Sequence, residues 1–85
     1  MNKNIAEQIN EIKKYIDQAE LQNGILPDVS NRIQEILYIG EQKGFDHEDV
    51  KRLALGLGLF MSHDYEFTES NIGNRILNII NLISS

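Results

Sequence analysis

The sequence predicts an all-α protein: a compact, antiparallel four-helix bundle-like domain with a central, apolar third helix. Three observations predict it. Isoleucine and leucine recur at spacings of three and four along most of the 85 residues, so that each segment has one apolar face. The apolar residues are mostly Ile and Leu, with one Thr, two Val and one Pro, whereas a strand-rich protein of this size draws on more β-branched and aromatic residues and more turn punctuation. The stretch Leu53 to Met61 is apolar at every position. A helix that is apolar all round is expected to be buried all round, and so short a chain can bury it only by wrapping its other elements about it. Residues 1–85 are expected to form one domain with a modest core.

Helix 1 is expected over Asn4 to Gln22, with Ile5, Ile9, Ile12, Ile16 and Ala19 as its seam and Asn23-Gly24 as its stop. Helix 2 is expected near Pro27, which suits a first turn, with Asp28 as N-cap and Val29, Ile33, Ile36, Leu37 and Gly40 facing inward as far as Lys43-Gly44. Helix 3 starts with Asp46 as cap, Asp49 at the third position and Phe45 stapled onto Val50. Its core face is Val50, Leu53, Ala54, Leu57, Phe60 and Met61, and Leu55 and Leu59 add a second face. Gly56 and Gly58 cost about 1 kcal/mol each against Ala in a helix interior, which close approach of a neighbouring helix would offset. A loop over Ser62 to Glu69 leads to helix 4, capped by Thr68, with Phe67 stapled onto Ile72. Ile72, Ile76, Ile79, Ile80 and Ile83 form its buried face, with Leu77 and Leu82 beside it. Short connections imply antiparallel neighbours.

Composition narrows the function. Without cysteine there is no disulfide framework and no thiolate metal site. No apolar run approaches a membrane span and the first residues lack a secretory pattern, so a cytoplasmic protein is expected. The net charge is −5, and residues 45–70 hold −4 of it: Asp46, Glu48, Asp49, Asp64, Glu66 and Glu69 against Lys51 and Arg52. That distribution repels phosphate, arguing against nucleic acid or an anionic membrane as partner and in favour of a basic protein.

No catalytic constellation is present. His47, Glu48 and Asp49 are adjacent and point in different directions, and His63 stands apart, so neither group supplies the converging ligands of a zinc site. The Gly-Leu-Gly run neither follows a strand nor opens a helix, which excludes a phosphate loop. The expectation is a non-enzyme with no metal and no cofactor. The acidic connector differs in kind. Tyr65 is claimed by no staple or stripe, and it lies among Asp64, Glu66 and Glu69. An aromatic anchor amid steering carboxylates is what a protein surface offers to a basic partner. The predicted interaction residues are therefore Asp64, Tyr65, Glu66 and Glu69, helped by Asp46, Glu48 and Asp49.

From Leu53 to Leu77, LALGLGLFMSHDYEFTESNIGNRIL, the chain resembles small helical immunity proteins of bacterial toxin–immunity pairs, those of contact-dependent growth inhibition in particular. The likeness lies in an apolar helix, an acidic Asp-Tyr-Glu-Phe connector and Ser-Asn-Ile-Gly-Asn-Arg-Ile-Leu opening the last helix. In wider terms an acidic four-helix chain of this length is similar to the immunity proteins of nuclease colicins, although their tyrosine pair before a proline is absent. The resemblance implies a protein that binds one cognate toxin, often a nuclease with a basic cleft, and blocks its active site. The other reading is a small structural or adaptor bundle that self-associates through Leu55 and Leu59. A monomer is expected, because helix 3 needs that second face to complete the core.

Overall fold

Each apolar stripe of the sequence becomes the inward face of a helix. The computed structural model describes residues 4–18 and 25–84. It contains α1 (Ile5–Gln18), α2 (Leu26–Lys43), α3 (Glu48–Met61), the short α4 (Tyr65–Glu69) and α5 (Asn71–Ser84), and no strand among the described residues. The expected Ala19 contact and the Asn23-Gly24 stop lie outside the described residues.

The four long helices pack as the sides of a square in the order α1, α2, α3, α5. Thus α1 touches α2 and α5, α3 touches α2 and α5, and the diagonal pairs make no close backbone approach among the described residues. Successive contacts between α2 and α3 show opposite directions. Lys43 meets Asp49, Glu35 and Ile39 share a groove with Arg52 and Leu53, and Arg32 lies 4.5 Å from the centre of the Phe60 ring. Ile9, Ile12 and Ile16, then Val29, Ile33 and Ile36, then Val50, Ala54, Leu57 and Met61, and finally Ile76, Ile79, Ile80 and Ile83 fill the interior. No polar or charged side chain among the described residues is buried. The bundle-like, all-α fold is the one expected.

The square corrects the expectation for α3. A helix on one side of a square has two long neighbours and leaves its outer face to water, so an apolar circumference is covered only in part. Leu57 is 1% exposed, but Leu53 and Phe60 are only half-buried, and Leu55 and Leu59 are 56% and 70% exposed. A Cβ added at Gly56 would meet nothing within 4 Å, and one added at Gly58 would make only ordinary contact with Ile80 at 3.8 Å. Close approach occurs elsewhere: the Phe45 ring lies against Gly40, and α4 lies with its Phe67 carbonyl against Gly73.

Three helix starts also differ from expectation. In α2 the chain already turns as αR at Ile25, so Asp28 is inside the first turn and acts on the helix dipole instead of capping. The α3 cap is His47, whose Nδ1 accepts from the Asp49 amide at 3.0 Å, and Asp46 lies in the preceding turn. The stretch expected as a loop over 62–69 contains α4. Thr68 is inside that helix, and Ser70 caps α5 through an Oγ that accepts from the Gly73 amide at 3.0 Å.

Candidate functional site

At the far end of α3 the chain doubles back through a tip held by several hydrogen bonds. The Asp64 amide donates to the Met61 carbonyl at 2.9 Å, and the Asp64 side chain accepts from the Phe67 amide at 3.0 Å, which starts α4. The Thr68 hydroxyl reaches both the Asp64 and the Met61 carbonyls, at 2.8 and 2.9 Å, and ties α4 to the end of α3. The Ser70 hydroxyl donates to the Phe67 carbonyl at 2.5 Å, so one side chain closes α4 and opens α5. Half-buried Phe67 packs against the core, and the backbone beneath it rests on Gly73.

These contacts fix what the tip displays. With Phe67 and Thr68 turned inward, Tyr65, Glu66 and Glu69 face solvent, and Tyr65 is 75% exposed, more than any other large hydrophobic side chain described. Asp64 is half-buried through its capping role. Residues 62–70 contain Asp64, Glu66 and Glu69 and no Lys or Arg, so they hold −3 of the net −5. None of the three carboxylates forms an ion pair with another described residue.

Asp46, Glu48 and Asp49 are not part of this tip. They lie at the opposite end of α3, about 20 Å away for fourteen helical residues. Their charge is also largely answered. Lys43 reaches Asp49 at 2.6 Å, and Arg52 stands 3.8 Å from Glu48 one turn on. The hydrogen bond and the positive charge of Lys43 hold the Asp49 carboxyl below its ordinary range. The single acidic surface expected over residues 45–70 is therefore two surfaces, and the three carboxylates of the one at 64–69 have no counter-ion among the described residues.

Compared with known protein families, characterised proteins and solved structures, the chain matches none.

No group of three or more potential metal ligands converges among the described residues. The enclosed void among Ile9, Ile12, Ile33, Ile36, Leu57 and the α5 isoleucines measures about 10 Å³, room for one water at most, and has no polar lining to hold it. The grooves between α2 and α3 are open, with Arg32, Arg52, Glu35 and Asp28 mixing both signs of charge. No helix among the described residues is long and apolar enough to cross a membrane.

Two features escaped the sequence reading. Tyr38 is 61% exposed on α2, with Glu35 and Glu41 three residues to either side, a smaller version of the tip. Its absence from the Val29-Ile33-Ile36-Leu37-Gly40 stripe was the available signal. Tyr15, 49% exposed, is stacked by Arg75 at 4.7 Å from its ring centre, a contact between α1 and α5 that no local pattern announces.

Proposed function

We propose that this chain is an immunity protein that binds a cognate toxin domain of basic character, a nuclease for preference, in the cytoplasm and covers its active site. The observation that carries the reading is Tyr65, three-quarters exposed at the head of α4 and flanked by carboxylates with no counter-ion among the described residues. Docking need not order the backbone of the tip, because hydrogen bonds at Asp64, Thr68 and Ser70 already hold it. Acidic groups raise the rate of encounter with a basic cleft, and a tyrosine buried on docking supplies the contact that resists dissociation. The resemblance of Leu53 to Leu77 to immunity proteins agrees with this assignment.

The test is binding kinetics against a candidate basic toxin domain, sought in the gene neighbouring that of this chain, with surface-captured variants at low and high salt. Glu66→Lys and Glu69→Lys should slow association, with a difference that shrinks as salt rises. Tyr65→Ala should speed dissociation and cost about 2 kcal/mol or more. Glu48→Lys, at the other end of α3, should bind like the parent. Parent-like binding by all three tip variants would remove the tip from the interface.

A further inference from the structure

We draw no further inference here: the strongest candidate, the outer face of α3 with exposed Leu55 and Leu59 beside Gly56, carries nothing because no feature of the structure shows what covers it.

Discussion

Replacing Gly73 by alanine tests how the acidic tip is held against α5. An added Cβ would fall on the Phe67 carbonyl oxygen, far inside contact distance, and 3.0 Å from the Thr68 carbonyl oxygen. Both obstacles are backbone, so no side-chain rotation relieves them and α4 must move away. That displacement costs about 1–3 kcal/mol as overpacking. It also breaks the bond from the Gly73 amide to Ser70 Oγ, a cap of about 1 kcal/mol. Alanine recovers about 1 kcal/mol over glycine through helix propensity. The net loss is about 1–3 kcal/mol, and each kcal/mol lowers the melting temperature of a domain this size by roughly 4–8 °C. Urea unfolding followed by circular dichroism reads it as a lower midpoint at unchanged slope. The reverse substitution on paper is Gly56→Ala, the same chemical change at an open site, where up to about 1 kcal/mol of stabilisation is expected. A Gly73→Ala midpoint at or above the parent's would refute the close packing of α4 on α5.

Two further outcomes are expected. Leu57→Ala, in the core at 1% exposure beside the small void, should lose about 2–5 kcal/mol, and an unchanged urea midpoint would mean that α3 does not anchor the interior. The depressed Asp49 carboxyl makes a contribution that is fully present above the ordinary carboxylate range and is lost as pH falls through its lowered folded value. Lys43→Ala should therefore move the Asp49 titration, followed by carboxyl NMR, back towards the ordinary range and flatten that part of the acid limb. An unmoved titration would show that Lys43 is not the cause.

The buried positions were legible because they obey period: Ile9, Ile12 and Ile16, or Ile76, Ile79, Ile80 and Ile83, fall inward on spacing alone. Period does not count neighbours, which is why Leu55 and Leu59 were assigned to a covered face. Helix starts shifted where polar residues crowd. Asp46 and His47 compete for one cap and the His47 ring takes it, and Asp64, Thr68 and Ser70 offer three cap signals where the chain uses the first and last. The tip at Asp64, Tyr65, Glu66 and Glu69 was visible in the sequence as an unclaimed tyrosine among acids. Its separation from Asp46, Glu48 and Asp49 was not, because summing charge along the chain misses Lys43, which reaches forward from α2 to Asp49.

The hydrogen bonds and close packing of α4 also divide its residues by what selection can do with them. Asp64, Phe67, Thr68, Ser70 and Gly73 hold the turn in place and are closed to most replacements. Tyr65, Glu66 and Glu69 take no part in that anchoring and face water on the same short helix. Their identities can be rewritten singly or together without loosening the scaffold beneath them. A chain built this way can exchange one set of displayed side chains for another in few steps, each intermediate still folded.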